Sequence, residues 1–296
     1  MSIRALRTLV AVSQNGSFRA AAEAENLTPS AVSHQMKGLE DQLGVELFDR
    51  SAKSAVLNSQ GHLLATRAER MVNDYDNLAM EISPQGQLAG ELALGAVPTT
   101  LTDIVPKALA DLRVLYPALK IRLVPGLTND LLMQLERGQI QAAVISKPDV
   151  LPAKLKFSNI AVEEMMLLTS TLEEALDPID LLQSRPFIRF SRDAVVGKTI
   201  EAWLQEHQIH VSEVMELEGL EAITSMVANG IGVSIVPWNR KAQKIDKRLR
   251  WAPLGDKGPR RIVGLASRPS STTGQLHDVL HSALEQSFQW GVSHDV

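Results

Sequence analysis

Two helix starts in quick succession constrain the fold of this chain more than any other feature. Ser17 stands before one short helix-forming run, and Thr28 stands directly before Pro29 and a second run. Serine and threonine cap the free N–H groups of a first helical turn, and proline fits the first helical position, where no N–H is needed. The Asn15-Gly16 pair ends an earlier helix, since both residues tolerate left-handed backbone. The segment predicts three short helices joined by tight turns.

The third of these helices has two unlike faces. One face is apolar, with Val32, Met36 and Leu39 at helical spacing. The opposite face is polar, and its members are Ser30, Ser33, His34 and Lys37. Small polar side chains and a flexible cation can reach base edges when a helix lies in the major groove. A solvated face on an ordinary three-helix core has the same pattern, so this helix alone leaves both interpretations open.

A predicted hairpin follows the two-faced helix. Residues 45–48 and 55–57 are apolar runs that predict strands around a polar turn. Arg50 and Lys53 lie in that turn, where cations can contact phosphate, so the hairpin is interpreted as a wing. We predict a winged helix-turn-helix in residues 1–58. Its predicted DNA contacts are Ser17, Arg19, Thr28, Pro29, Ser30, Ser33, His34, Lys37, Arg50 and Lys53.

Charge and cysteine content narrow the functions that the chain can have. With 30 Lys and Arg against 34 Asp and Glu, the formal net charge is -4, so any DNA affinity must come from where cations lie. The absence of cysteine excludes disulfides, thiolate metal sites and cysteine nucleophiles. We expect no cofactor, no metal and no catalytic residue. No run has the length of a membrane span and no signal peptide is evident, so we expect a cytoplasmic protein without a membrane partner.

A long helical pattern runs from Asn58, which can cap a helix, to about Ser83, and Pro84-Gln85-Gly86 then breaks it, so residues 59–86 are the predicted linker and dimerisation helix. Apolar residues recur along it at alternating steps of four and three, as in helices that pack along one another. This seam consists of Leu64, Ala68, Met71, Tyr75, Leu78 and Ile82. We interpret it as the contact between two copies of the chain. Docking of one helix on its own domain would produce the same spacing.

Strand-like and helix-like runs alternate in residues 87–296, which predicts an open parallel sheet with crossover helices. Ligands of such sheets bind beyond the carboxyl ends of strands, near helix amino termini. Polar and aromatic residues stand at these points, although a hydroxyl at a helix start is most often only a cap. The candidates are Thr99, Thr100, Thr128, Ser146, Phe190, Ser191 and Arg192.

The run GSFRAAAEAENLTPSAVSHQMKGLEDQLGVELFDR, residues 16–50, resembles the amino-terminal signature of LysR-type transcriptional regulators. The order of the later segments is similar to that family along nearly the whole chain. The family usually has serine and glutamine at Thr28 and Pro29 and arginine at His34, so its base preference does not carry over.

The resemblance implies a multidomain protein with a winged helix-turn-helix, a long linker helix and a two-lobed α/β effector domain like a periplasmic binding protein. Lobe 1 would cover about 87–160 and 267–296, and lobe 2 about 161–266. It also implies that Thr99, Thr100, Thr128 and the second-lobe loop bind a small anionic effector, a carboxylate.

The expected function is ligand-responsive transcriptional regulation. Such a protein binds a two-fold operator in double-stranded DNA as a homodimer, or as a pair of dimers that forms a homotetramer. Two other classes of protein are alternatives. A small-molecule enzyme is disfavoured because no Gly-x-Ser-x-Gly run, phosphate loop or zinc spacing is present. A solute-binding module would fit residues 87–296 equally well, and only the first sixty residues separate it from a regulator.

Overall fold

The computed structural model describes residues 1–49, 56–81, 88, 90–173, 177–238, 246–269 and 271–289. Its first compact unit is Met1–Glu91 with Arg137–Gln139. We call residues 1–49 and 56–81 of this unit the head. The elements of the head are α1 (Ile3–Asn15), α2 (Phe18–Ala24), α3 (Pro29–Leu43), β1 (Phe48–Asp49), β2 (Val56–Leu57) and α4 (Ser59–Glu81).

The helix starts and ends of the head are as the sequence predicts. The Ser17 hydroxyl accepts a hydrogen bond from the Ala20 N–H at 3.2 Å, and the Thr28 hydroxyl accepts one from the Ala31 N–H at 3.2 Å. Gly16 ends α1 with a left-handed φ of 70°. These caps fix α2 and α3 as two short helices joined by a tight turn, so the predicted helix-turn-helix is confirmed.

Side-chain hydrogen bonds orient α3 within the head. Thr8 on α1 donates to the Gln35 side chain on α3 at 2.7 Å. At the far end of α3, the Glu40 carboxylate accepts from the backbone N–H groups of Leu47 and Phe48 at 2.7 and 3.3 Å. Because these bonds hold α3 from both sides, its exposed face has a fixed direction. The paired strands β1 and β2 begin the predicted wing, and its turn lies outside the described residues.

The second compact unit is Leu92–Glu136 with Ile140–Val296. Its elements alternate as predicted through most of the unit. They are β3 (Gly90–Ala96), a 3-10 turn (Pro98–Thr100), α5 (Ile104–Leu115), β4 (Leu119–Pro125), α6 (Thr128–Arg137), β5 (Ala142–Ser146), β6 (Lys156–Ser170), α7 (Pro178–Ser184), β7 (Pro186–Phe190), α8 (Val195–Glu206), β8 (Ser212–Leu217), α9 (Leu220–Ala228), β9 (Ser234–Pro237), β10 (Leu249–Pro253), β11 (Arg260–Ser267) and α10 (Ser271–Gln289).

The large sheet of this unit is mixed, which corrects the expectation of an open parallel sheet, and β7 and β8 form a separate two-stranded sheet among the described strands. The order of the described strands is β10-β6-β11-β5-β3-β4, with β9 also on β6. Strands β3 and β5 are parallel, as are β7 and β8, but β11 runs antiparallel to both β5 and β6. The reason is that β6 leaves the first lobe and β11 returns to it, so the two crossing strands pair in opposite directions.

Each lobe has its own apolar core. In the first lobe, buried Leu131 and Leu135 of α6 pack with Ile145 of β5. In the second lobe, Phe187 and Trp203 belong to a larger cluster that also takes in part of β6. Two separate cores joined by two crossing strands make the two-lobed α/β architecture that the sequence predicts. None of the helices in the described part of the chain has both the length and the apolar composition of a membrane span.

Candidate functional site

The two faces of α3 meet different surroundings. Val32 and Met36 are buried in the core of the head, whereas Ser33, His34 and Lys37 are exposed. Within the described part of the chain, these three polar side chains make no hydrogen bond or ion pair. An exposed stripe of small donors and acceptors with one cation has the chemistry that base edges and phosphates require.

The remaining predicted DNA contacts surround this stripe. Thr28, Pro29 and Ser30 are exposed at the amino end of α3, where the two hydroxyls lie 3.1 Å apart. Half-buried Ser17 serves as the cap of α2, and the exposed Arg19 guanidinium lies 3.4 Å from a carboxylate on the same helix. Arg50 and Lys53 lie outside the described residues.

The structure divides the apolar seam of α4. Ala68 is fully buried in the core of the head, so it is not a contact for another chain, whereas Leu64 is half-buried and packs partly against that core. This corrects the assignment of Ala68 to the dimer seam, because α4 uses that residue to dock on its own domain, and the assignment of Leu64 stays a prediction. Met71 and Tyr75 are about half exposed, at 48% and 52%. The side chain of Leu78 and residue Ile82 lie outside the described part.

A cleft lies at the carboxyl ends of the parallel strands β3 and β5, opposite the first turn of α8. It holds about 290 Å³ of atom-free space, and its interior has room for about one water molecule. Among the described residues, its lining is Val97, Pro98, Thr99, Leu127, Thr128, Ser146, Phe190, Ala194, Val195, Val196, Glu218 and Arg261. Residues from both lobes and from the crossing strand β11 therefore meet at one place.

A buried guanidinium connects the polar groups of the cleft. Arg261 Nη1 donates to the Thr99 hydroxyl at 2.7 Å and to the Ser146 hydroxyl at 3.2 Å. Its Nε donates to Oε2 of Glu163 at 2.7 Å, and its Nη2 lies 2.5 Å from the same oxygen. The arginine side chain is 2% exposed and that of Glu163 is 13% exposed. Such an ion pair is stable in the interior because nearly all of the guanidinium donors have acceptors.

The hydrogen bonds from Arg261 determine which hydrogen-bonding role the cleft hydroxyls have left. A hydroxyl that accepts a hydrogen bond still has its own proton to donate. Since Thr99 and Ser146 both accept from Arg261, each can donate to a further acceptor. On the opposite wall, α8 begins after Ala194, which has no side chain that can cap the helix. Uncapped N–H groups and the positive end of the helix dipole favour an anion there.

Three of the residues predicted to bind an effector lie elsewhere. Thr100 is fully buried, and its hydroxyl donates to the Val97 carbonyl at 2.8 Å. The Ser191 hydroxyl accepts from the Asp193 N–H at 3.3 Å in the loop after β7. The Arg192 guanidinium is half exposed and is not part of the cleft lining among the described residues. The structure thus brings together Thr99, Thr128, Ser146 and Phe190 of the predicted set.

Arg192 belongs instead to a charged cluster on the second lobe. Its Nη2 lies 2.7 Å from Glu213, and its backbone N–H donates to Glu216 at 2.8 Å. Buried Arg189 pairs with Glu201 and also with Glu213. The hydrogen bond from Arg189 is the largest cause that holds the pKa of Glu213 at about 2, with Arg192 adding to the effect. Both arginines are therefore engaged in structural ion pairs.

Family models match both parts of the chain. The model described as "Bacterial regulatory helix-turn-helix protein, lysR family" covers residues 3–62, and "LysR substrate binding domain" covers residues 85–289. The chain belongs to the LysR family of transcriptional regulators. As a member of this family it is a DNA-binding regulator with an effector-binding domain, and the family comprises regulators and not enzymes.

Individual relatives match along most of the regulator. A probable RuBisCO transcriptional regulator from Gracilaria tenuistipitata var. liui is 30% identical over 277 residues, which are 90% of this chain and 89% of that protein. A full-length OxyR variant from Pseudomonas aeruginosa has a TM-score of 0.71 at 23% identity, covering 96% of this chain and 94% of that one. Full-length CbnR in complex with its target DNA has a TM-score of 0.69 at 19% identity, covering 97% and 100%. These structures share the fold.

Several residues of the cleft lining, among them Arg261 and Glu218, were missed by the sequence analysis, and so was Glu163, the ion-pair partner of Arg261. Arg261 and Glu163 are separated by almost one hundred positions, and neither lies next to a predicted helix start. A usable signal was nevertheless present. Glu163-Glu164 and Arg260-Arg261 are oppositely charged pairs inside otherwise apolar strands, and such pairs attract one another when the strands are neighbours.

Proposed function

We propose that the polar face of α3 reads an operator in the major groove of double-stranded DNA. The observation that carries this proposal is the exposure of Ser33, His34 and Lys37 while the opposite face is buried. Ser33 and His34 supply hydrogen bonds to base edges, and Lys37 supplies charge. Thr28, Pro29 and Ser30 approach the adjoining backbone, as do Ser17 and Arg19 at the start of α2. Arg50 and Lys53 of the wing complete the predicted phosphate contacts.

Two copies of the regulator present two reading helices to successive turns of DNA, and this arrangement matches a two-fold operator. We assign the pairing to the exposed apolar residues Met71 and Tyr75 and to the following turns of the linker. Residues 1–58 would then be the DNA-binding domain, 59–86 the dimerisation helix and 87–296 the effector domain. A pair of such dimers gives the homotetramer. Because the target is DNA, we place the action of this bacterial-type regulator in the cytoplasm.

The cleft is the proposed effector site, and its ligand is a small carboxylate. Support comes from the two hydroxyls at Thr99 and Ser146, which accept from Arg261 and keep their protons for an acceptor ligand. The uncapped start of α8 adds free N–H donors on the facing wall. The exposed carboxylate of Glu218 lies at the same cleft and disfavours a second negative charge on that side. Bound effector can shift the equilibrium between two conformations of the regulator only by as much as the effector binds one of them more tightly than the other.

The DNA proposal is tested by operator binding across salt concentrations. We expect Lys37→Ala to weaken operator binding and to lower the dependence of log affinity on log salt by about one contact. The matched control is Lys154→Ala, which removes the same charge from an exposed position of the effector domain. Equal behaviour of the two variants would remove α3 from the DNA interface.

The effector proposal is tested at Val195, a half-buried residue of the cleft wall. Val195→Glu places a carboxylate at the uncapped start of α8, and Val195→Gln places a side chain of equal length without charge. We expect the glutamate variant to lose thermal stabilisation by small carboxylates and to keep operator affinity, while the glutamine variant retains more of the stabilisation. Carboxylate binding that is unaffected by Val195→Glu would move the effector site away from this cleft.

A further inference from the structure

The crossing strands carry an ion pair of which one member, Arg261, lines the proposed effector cleft. Glu163 on β6 and Arg261 on β11 are direct partners in the register of these antiparallel strands. One position further along, Glu164 and Arg260 form a second pair. The first pair is buried, with 13% and 2% of the side chains exposed, and the second is exposed, at 52% and 54%. The same chemistry therefore occurs twice, once as a buried pair whose arginine lines the cleft and once in solvent.

The buried pair leaves the guanidinium almost fully occupied. An arginine side chain has five N–H donors. Nε and Nη2 point at Oε2 of Glu163, and Nη1 points at the hydroxyls of Thr99 and Ser146. The positive charge of Arg261 thus borders the cleft, but a carboxylate of the protein already compensates it.

Resting on the proposed effector site, we infer that Glu163 is a built-in counter-ion that sets how much negative charge the cleft accepts. Because the cleft interior has room for about one water molecule, an effector enters only when the walls of the cleft move apart. Its carboxylate then meets the hydroxyl donors of Thr99 and Ser146 and the start of α8, and it shares Arg261 with Glu163. One ligand carboxylate is accepted under these conditions. A second ligand carboxylate is rejected, because Glu163 has already neutralised the buried guanidinium at the cleft.

This role makes Glu163 a determinant of specificity, and its removal has a defined consequence. Glu163→Gln keeps the size of the side chain and an oxygen that can accept from Arg261, but it removes one negative charge. The unmasked guanidinium then attracts anions across a short distance in a poorly solvated site. The preference of the cleft for a more highly charged ligand should rise, and the affinity for an uncharged ligand of the same shape should not.

The test uses succinate, succinamate and succinamide, which share one skeleton and carry two, one and no carboxylates. Dissociation constants are measured on the full-length chain by thermal shift at constant ionic strength. We expect Glu163→Gln to raise the preference for succinate over succinamate roughly tenfold or more relative to wild type. Glu164→Gln is the matched control, since it removes the same charge from the exposed pair, and it should leave that preference unchanged.

A second variant changes the charge of the same ion pair in the opposite sense, because it removes the positive member. Arg261→Gln leaves the Glu163 carboxylate without its partner, so the preference for succinate should fall roughly tenfold below wild type. If Glu163→Gln does not fold, this variant decides. A preference equal to wild type in a folded Glu163→Gln or Arg261→Gln protein overturns the inference, as does a Glu163→Gln protein that binds none of the three compounds.

The outcome also separates this inference from the proposed effector site. If Val195→Glu abolishes binding of the carboxylates while Glu163→Gln leaves their relative affinities unchanged, the cleft is the site and Glu163 is only structural. If Val195→Glu has no effect on binding, the cleft itself is not the site.

Discussion

The exposed polar face of α3 that is proposed to contact DNA, here called the reading face, and the proposed effector cleft are prepared for a partner in different ways. On α3, Ser33, His34 and Lys37 stand in solvent without partners in the described part of the chain. In the cleft, Arg261 is buried and already bonded to Thr99. A DNA contact would therefore add bonds to side chains that the fold does not use, whereas an effector contact would add bonds to hydroxyls that the fold already holds through Arg261.

The difference predicts how mutations separate stability from binding. A change on the reading face should alter DNA affinity and leave the fold intact. A change in the cleft should alter both the fold and the response to effector. Tryptophan fluorescence reports on changes of the second kind, because all four tryptophans, at positions 203, 238, 251 and 290, lie in the proposed effector domain.

The largest effect on stability is expected from Arg261→Met. The substitution keeps much of the apolar stem but leaves the buried Glu163 carboxylate without its cation, and breaking a buried ion pair costs about 3–5 kcal/mol. We expect the free energy of unfolding, obtained from urea denaturation followed by tryptophan fluorescence, to decrease by that amount. Arg260→Met in the exposed pair is the control, with an expected loss of at most about 1 kcal/mol. Equal losses in the two variants would show that the cleft is not built on this pair.

Gly197→Ala is expected to have the next largest effect. A Cβ at Gly197 in the first turn of α8 would lie 1.9 Å from the Ser191 carbonyl oxygen, so backbone has to move. Overpacking of this kind costs about 3 kcal/mol and displaces the helix start that faces the cleft. Gly219→Ala, at the start of α9, has open space around the added Cβ and should cost about 0.5 kcal/mol. Similar unfolding midpoints for the two variants would contradict the close approach of α8.

The sequence predicted the head well because its signals are local. The caps at Ser17 and Thr28, and the glycine that ends α1, lie within a few residues of the atoms they bond. Helix α4 shows the limit of such signals. The spacing of its apolar residues predicts a packed stripe, but spacing alone does not show whether the stripe packs against a partner chain or against its own domain. Ala68 packs against its own domain.

The cleft could be predicted only in part, because its central contacts join distant parts of the chain. The strand ends pointed to Thr99 and Ser146, but Arg261 reaches them across sequence separations of 162 and 115 residues. These contacts exist because β11 crosses back between the lobes, and the local pattern of residues 260–267 shows the charges of Arg260 and Arg261 but does not by itself identify the strand beside them. Arg192 shows the converse case. It lies near a strand end and was therefore predicted to bind effector, but its guanidinium pairs with Glu213 and Glu216 of β8 and is not among the described residues that line the cleft.

A smaller effect is expected from pH at His277, which ties α10 to the crossing strands. Its Nε2 lies 2.8 Å from the Ser158 hydroxyl on β6, and its Nδ1 lies 2.7 Å from the Ser267 hydroxyl on β11. Burial lowers the pKa of His277 from 6.5, and the charges of Lys156 and His281 lower it further, against a weaker opposing effect of Asp278. The neutral ring is thus favoured in the folded state.

The sign of the pH effect follows from this shift. The unfolded chain binds a proton at His277 more readily than the folded chain, so this contribution to stability is complete above pH 6.5 and is lost as pH falls through the folded pKa. We expect the urea concentration at the unfolding midpoint to decrease as pH is lowered from about 7.5 to about 5.5. This pH range lies above the one in which carboxylates titrate. His277→Gln should have a lower midpoint at neutral pH and a flatter pH dependence. An unchanged slope in the variant would assign the effect to other histidines.

The smallest effect on stability is expected where the effect on recognition is sharp, at Ser33. Ser33→Ala removes an exposed hydroxyl that no described residue uses, so the free energy of unfolding should change by less than about 0.5 kcal/mol. Helicity of the head, followed by circular dichroism, should not change either. Affinity for the operator should fall roughly tenfold, while affinity for unrelated DNA at the same salt concentration stays the same, because a base contact is lost and no phosphate contact is. An equal loss of affinity for both DNAs would mean that Ser33 contacts the DNA backbone. The base contacts would then have to come from the side of α3 that carries His34.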